Sequence, residues 1–185
     1  QCKDGHVYPA DLVIIGIGVV PNTELAEAAG LVVENGIRVD AHCLTIDPDI
    51  VAAGDCTNHH NPFYQCDLRL ESVQNAMDQA KVAAATLCNK AIQYNALPWF
   101  WSDQYDIKLQ IAGISSGHEE LVLRGEPESG RKFSVFYFRQ DKMIAVDAIN
   151  SPQEFMIGKQ IISKGLKVDK IMLADSSVSI RDLLQ

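Results

Sequence analysis

An α/β unit followed by a smaller α+β unit is the fold class this sequence predicts, and three observations carry it. A near-continuous apolar run, Leu12 to Val20, is broken only by Gly16 and Gly18. Such a run is the pattern of a strand covered on both faces in a parallel sheet. An alanine-rich segment from about Ser72 to Lys90 has the length and spacing of a helix. Beyond residue 98 the texture changes, and four strand-like stretches follow one another with short, turn-rich connections, as in an antiparallel sheet.

Taken in order, the apolar run predicts a strand from Asp11 to Val20, with Pro21 and Asn22 turning the chain away from it. Thr23 caps a short helix, "ELAEAAG", which Gly30 ends. Short strands and turns follow, with turn signals at Asn35-Gly36 and Asp47-Pro48. The stretch "IVAAGD" reads as a short buried strand ending in a glycine and a carboxylate, and Asn58 to Pro62 as a polar loop. Ser72 caps the long helix, and Ala76, Ala80, Ala83, Ala84 and Leu87 form its packing stripe. The stretch "QYNALP" then reads as a linker or domain edge. The antiparallel strands are "KLQIAGI", "ELVLRGE", "KFSVFYFRQ" and "MIAVDAIN". A helix follows, "SPQEFMIGKQIISKG", with Ser151 as its cap, Pro152 at its first position and Gly165 at its end. The tail "KIMLADSSVSIRDLL" packs or extends.

Composition narrows the function classes. The net charge of −8, with Lys and Arg scattered and never in a run, gives no basic stripe for nucleic acid. No apolar stretch is long enough to suggest a membrane span or a leader. The five cysteines, Cys2, Cys43, Cys56, Cys66 and Cys88, include no CxxC pair. Neither a zinc knuckle nor a thioredoxin-like dithiol is therefore indicated. These features set the expectation of a reducing, cytoplasmic setting with no nucleic-acid or membrane partner. The chain opens at Gln1 and runs within a few residues into its most apolar segment, so it is expected to begin within a domain.

No catalytic constellation stands out. Gly16-x-Gly18 is part of a dinucleotide fingerprint, but Pro21 occupies the third glycine position. His59 and His60 are adjacent and have no partner carboxylate at ligand spacing, so no metal site is expected. His118, Glu119 and Glu120 read as a polar turn.

The stretch "TIDPDIVAAGDC" is more specific. It resembles the second flavin motif of flavoproteins with two dinucleotide-binding domains. The alternative is a buried strand with a capping aspartate. The resemblance extends along the chain, through "ADLVIIGIGVVPNTELAEAAGLVVENGIRVD", "RLESVQNAMDQAKVAAATL" and, most tellingly, "PWFWSDQYDIKLQIAG". On these residues the chain is similar to the putidaredoxin reductase-like, oxygenase-coupled family of NAD(P)H:ferredoxin/rubredoxin reductases.

The resemblance implies a partial FAD/NAD(P)-binding, two-dinucleotide-domain fold with a small C-terminal domain of antiparallel sheet and helix. Residues 1–22 would end the NAD(P)-binding domain, residues 23–97 would be the C-terminal part of the FAD-binding domain, and residues 98–185 would form the C-terminal reductase domain. It implies FAD as cofactor and NAD(P)H as co-substrate. The electron acceptor would be a small ferredoxin or rubredoxin that feeds a P450 or ring-hydroxylating oxygenase. Asp55, beside Gly54, would hold the ribityl chain. Glu71, Ser72 and Val73 would lie at the flavin pyrimidine ring, with the Val73 amide facing its O2 atom. Gly16 and Gly18 would lie near the nicotinamide nucleotide. Trp99 would sit at the domain junction and Trp101, the catalytic candidate, on the electron exit; the alternative for both is a hydrophobic seam. Gln74 departs from the family pattern, which has proline there, and a looser helix start is the expected consequence. The chain alone is expected to be inactive and open to homodimerisation or self-association. The other readings are a binding module of the same fold without reductase activity, or an oxidoreductase resembling apoptosis-inducing factor.

Overall fold

The computed structural model describes residues 1–128 and 130–184. Its first half holds a short helix α1 (Glu24–Ala28) and a three-stranded sheet of β1 (Ile37–Val39), β2 (Thr57–Asn61) and β3 (Cys66–Leu68). The long helix α2 (Val73–Leu87) follows. β1 runs parallel to β2, with Val39 opposite His59, and β2 turns back antiparallel into β3.

The second half is a five-stranded antiparallel sheet: β4 (Trp99–Gln104), β5 (Ile107–Gly113), β6 (Glu120–Gly125), β7 (Phe133–Arg139) and β8 (Lys142–Ile149). Its spatial order is β4-β5-β8-β7-β6. Register places Trp99, Ala112, Val146, Phe136 and Val122 side by side across one face. That face is closed by α3 (Pro152–Lys164) and α4 (Lys170–Ala174), with Phe155, Ile161 and Leu173 buried against it. The opposite face carries Phe100, Ile111, Asp147, Val135 and Leu123 in the same rows, and Phe100 and Leu123 stay exposed. Arg124 is buried and pins the tail, its guanidinium donating to the carbonyls of Leu173, Asp175 and Val178 at 3.1, 2.6 and 2.6 Å. The tail therefore packs, and ends in a 3-10 turn at Ile180–Leu184.

Four sequence expectations need correction. The run from Leu12 to Val20 forms no strand, and its side chains are exposed, Ile17 at 92%. A strand of this kind draws its hydrogen bonds from neighbours, and no strand of the described chain lies beside it. "IVAAGD" is not a strand either; only Val51 forms an isolated bridge, to Leu44. Asn58 to Pro62 is no loop, because Thr57–Asn61 is the central strand of the first sheet. Its Asn58, His59 and Asn61 are buried. Finally, α2 packs through only part of its alanine stripe, with Ala83 buried and Ala76 half-buried. Ala80, Ala84 and Leu87 are exposed, while Asn75, Gln79, Val82 and Ala83 are buried. Hydropathy patterning misses this face because its polar groups satisfy one another. No helix among the described residues is long and apolar enough to cross a membrane.

Candidate functional site

The site forms where the start of α2 meets the Gly54–Asp55 turn on one side and β4 on the other. Gly54 holds φ +90°, which only glycine adopts without strain. The following carboxylate of Asp55 is exposed and makes no hydrogen bond or ion pair among the described residues; only its backbone carbonyl is engaged, by Arg69 at 3.3 Å. Arg69 bridges outward from there, donating to Asn35 at 3.2 Å and pairing with Glu71 at 2.6 Å. One guanidinium thus ties the Asp55 turn to Glu71.

The next residue begins the helix. Ser72 accepts the Asn75 amide at 3.1 Å through its hydroxyl, so its cap is made. First-turn amides, those of Val73 and Gln74, have no acceptor within the helix. No acidic residue stands in the first turn of α2 to offset its positive end. The Val73 side chain is 56% exposed and its amide opens the helix. Gln74, where the family pattern has proline, makes hydrogen bonds on both sides of this start. It is buried, donates to Asp78 at 2.7 Å and accepts the Trp99 amide at 3.3 Å, so it joins α2 to β4.

A cleft of about 220 Å³ lies against this start, lined by Glu71, Ser72, Trp99, Phe100, Ile111 and Gly113. Trp99 is packed on three sides: Trp101 stacks on it at 5.4 Å, Phe155 meets it at 5.9 Å, and Lys159 Nζ stands 4.8 Å from its ring centre. Burial lowers the Lys159 pKa, with Asp78 acting in the opposite sense. Trp101 keeps 37% of its surface open to solvent. Tyr64, at the tip of the β2–β3 hairpin, clamps the two halves together. Its hydroxyl donates to the Ile144 carbonyl at 2.8 Å and accepts the Ile114 amide at 2.9 Å. Gly113 leaves it room, since a Cβ there would stand 2.7 Å from the Tyr64 oxygen and 2.2 Å from the Ile144 carbonyl.

Beneath the site is a fully buried polar lattice centred on Gln79. Its Oε1 accepts from the Gly54 amide at 2.8 Å, the Thr57 hydroxyl at 2.8 Å and Asn75 Nδ2 at 3.2 Å. Its Nε2 donates to His59 Nδ1 at 3.3 Å. Tyr94 donates to Asn75 Oδ1 at 2.8 Å and meets the His59 ring edge-on at 5.0 Å. Burial, the largest cause, lowers the His59 pKa and keeps the ring neutral, while burial raises the Tyr94 phenol to about 12.

The structure thus gathers Gly54, Asp55, Glu71, Ser72, Val73 and Trp99 around one region, with Trp101 stacked behind Trp99. Gly16 and Gly18 lie outside it, in the exposed N-terminal segment, where a Cβ on either would meet nothing within 4 Å. A larger cavity, about 470 Å³ among Ala41, His60, Phe63 and Tyr94, includes none of these residues. Among the described residues no group of three His, Cys, Asp or Glu side chains could hold a metal ion. Motif reading does not single out Arg69, Gln79 and Tyr64 as parts of the site. Their sequence signal is weak, because each acts through contacts with residues far along the chain.

Comparison with known proteins shows which families the chain resembles. Residues 1–80 match the family described as pyridine nucleotide-disulphide oxidoreductase, and residues 99–184 match the family described as reductase C-terminal. The chain is 48% identical over 186 residues to putidaredoxin reductase CamA of Pseudomonas putida, covering 99% of this chain and 43% of that protein. It is 42% identical over 179 residues to rhodocoxin reductase of Rhodococcus erythropolis, covering 97% and 42%. Among solved structures, the covalent putidaredoxin reductase–putidaredoxin complex superposes with a TM-score of 0.91 at 48% identity, over 99% of this chain and 44% of that one. The ferredoxin reductase for the CYP199A2 system of Rhodopseudomonas palustris also gives 0.91, at 42% identity, over 97% and 44%. The chain therefore spans less than half the length of the relatives it matches.

Proposed function

Because the chain belongs to the pyridine nucleotide-disulphide oxidoreductases and carries their reductase C-terminal domain, we propose that it forms the C-terminal part of an FAD-dependent NAD(P)H reductase. Its electrons would go to a small ferredoxin or rubredoxin that serves a P450 or ring-hydroxylating oxygenase. The observation that carries this reading is the pairing of two unsatisfied groups on one scaffold. Among the described residues the carboxylate of Asp55 lacks a partner and the first-turn amides of α2 lack acceptors, and Arg69 and Gln79 hold the two together.

The residues present fit a flavin. An unpaired carboxylate beside a positive-φ glycine suits the hydroxyls of a ribityl chain. The amide of Val73, at the positive end of a helix, suits an electron-rich pyrimidine edge. The cleft walled by Ser72 on one side and Phe100 and Ile111 on the other suits a flat aromatic ring. When bound, FAD supplies the conversion of a two-electron hydride into two single-electron transfers. The chain's own part is to orient the ribityl chain through Asp55, to stabilise negative charge at the Val73 end of α2, and to carry electrons outward across Trp99 and Trp101. Trp101 is the half-open member of the stacked pair and so offers the contact for an electron carrier.

The test is anaerobic titration of the full-length reductase with NADH and with NADPH, followed in the visible flavin bands. A small [2Fe–2S] ferredoxin and a rubredoxin are then added in turn. Bleaching of the flavin and its return on adding one of the carriers is expected. A protein that binds FAD yet accepts no hydride would instead be a binding module of the same fold.

A further inference from the structure

We propose that Gln79, a residue that touches neither the cleft nor the solvent, is the positioning residue that sets the flavin-facing geometry. This rests on the flavin reading given above. Gln79 is 0% exposed and sits in the second turn of α2. Its single carbonyl oxygen takes three donors, from three different parts of the site. The Gly54 amide fixes the peptide entering the turn. The Thr57 hydroxyl is donated to the same oxygen and lies 2.8 Å from the Gly54 carbonyl, while the Thr57 amide donates to that carbonyl at 3.0 Å. Gly54 is therefore gripped on both its amide and its carbonyl, and the direction in which Asp55 leaves the turn is set there. The third donor, Asn75 Nδ2, also reaches the Leu70 carbonyl at 3.2 Å, just before the helix start. Asn75 in addition gives its amide to the cap hydroxyl of Ser72.

One side chain thus measures the distance between the Asp55 turn and the Ser72–Val73 helix start. Those are the two groups that would hold opposite ends of one rigid ligand, ribityl chain and pyrimidine ring. The Nε2 group is held in turn by His59 Nδ1, whose ring is fixed by Tyr94. The amide cannot rotate to exchange its oxygen for nitrogen, because Nε2 would then face the Gly54 amide donor. In a dry site each of these bonds is strong and each orphaned donor is costly.

The experiment uses the full-length reductase and three variants, Gln79→Leu, Gln79→Glu and Asp55→Ala. FAD affinity is read by titration of the apoprotein, the midpoint potential of the bound flavin by spectroelectrochemistry, and folding by far-ultraviolet circular dichroism. Gln79→Leu keeps the volume but removes the acceptor, and is expected to weaken FAD roughly ten-fold or more and to shift the flavin potential. Gln79→Glu keeps the acceptor oxygen, and is expected to restore affinity to within a few-fold, with the neutral His59 ring changing tautomer so that its Nδ1–H donates to the second carboxylate oxygen. A Gln79→Leu variant that folds and binds FAD with unchanged affinity and potential, while Asp55→Ala loses FAD, overturns the proposal and leaves the flavin reading standing. If Asp55→Ala also leaves FAD unmoved, the flavin reading itself fails. If Gln79→Leu does not fold, Thr57→Val, which removes one of the three donors and keeps the shape, takes its place and is expected to weaken FAD; unchanged affinity and potential there overturn the proposal as well.

Discussion

The carboxyl of Asp147 shows how a single side chain carries a consequence for pH. It lies in the row of half-buried residues on the open face of the second sheet and accepts the Tyr137 hydroxyl at 2.8 Å. Burial raises its pKa, and the Tyr137 hydrogen bond only partly opposes that; burial and the same carboxylate hold the Tyr137 phenol up at about 12. The native carboxyl therefore binds its proton more tightly than the unfolded chain does, and stability is lost as the pH rises through the carboxylate range. Asp147→Asn, which still accepts from Tyr137, is expected to raise the melting temperature at about pH 7 and to give no gain at about pH 3. An equal gain at both values would show that charge is not the cause. Trp101 is the other residue that decides something alone. Stopped-flow of full-length Trp101→Ala should show near-normal flavin reduction by NAD(P)H and slower reduction of the carrier, by roughly ten-fold or more; equal slowing of both steps would mark a packing role. At this scale the sequence shows the Asp55 turn and the Ser72 cap, because both are local. It hides Gln79 and Arg69, whose partners lie 25 and 34 residues away.

Between elements, what matters is how the hairpin of the first sheet grips the second. Tyr64 supplies a hydroxyl to two backbone groups of the other sheet, Ile144 and Ile114, and Gly113 allows the approach at φ +83°. Tyr64→Phe keeps the ring and strips both bonds, leaving a carbonyl and an amide without their partner, a loss on the order of 1–3 kcal/mol. A urea melt of this chain is expected to show that loss; an unchanged midpoint would mean that water replaces the hydroxyl. The elements themselves divide by how locally they are specified. The other four strands of the second sheet and the Pro152–Lys164 helix lie where the strand-like stretches and cap signals place them. β4 escapes notice as a strand because Trp99–Gln104 does not alternate; it is an edge strand with aromatic side chains on both faces. β2 is read as a loop because its side chains are polar, and their burial becomes intelligible only through the Gln79 lattice. The predicted strand at residues 11–20 has the composition of a buried strand but no neighbour to pair with among the described residues.

The whole molecule exposes apolar surface of the kind that folded domains usually cover. Leu12, Val13, Ile14, Ile15, Ile17 and Val20 are each at least 72% exposed, and Phe100 and Leu123 show on the open sheet face. Such surface is expected to make the isolated chain self-associate. The chain alone is also expected to bind neither FAD nor NAD(P)H at micromolar concentration. Asp55 and one helix start give a few hydrogen bonds, each worth roughly 1.5–3 kcal/mol at best, against the approximately 8 kcal/mol that micromolar affinity needs after ordering costs. Calorimetry of the chain with each nucleotide checks this, and one-to-one micromolar binding would show that the grip lies in these residues. Whether Asp55 and the start of α2 hold a flavin is decided by FAD titration of the full-length apoprotein and its Asp55→Ala variant at matched fold. The variant is expected to lose FAD affinity by roughly ten-fold or more with the flavin spectrum altered at saturation; an unchanged affinity and spectrum would mean that Asp55 does not hold the flavin.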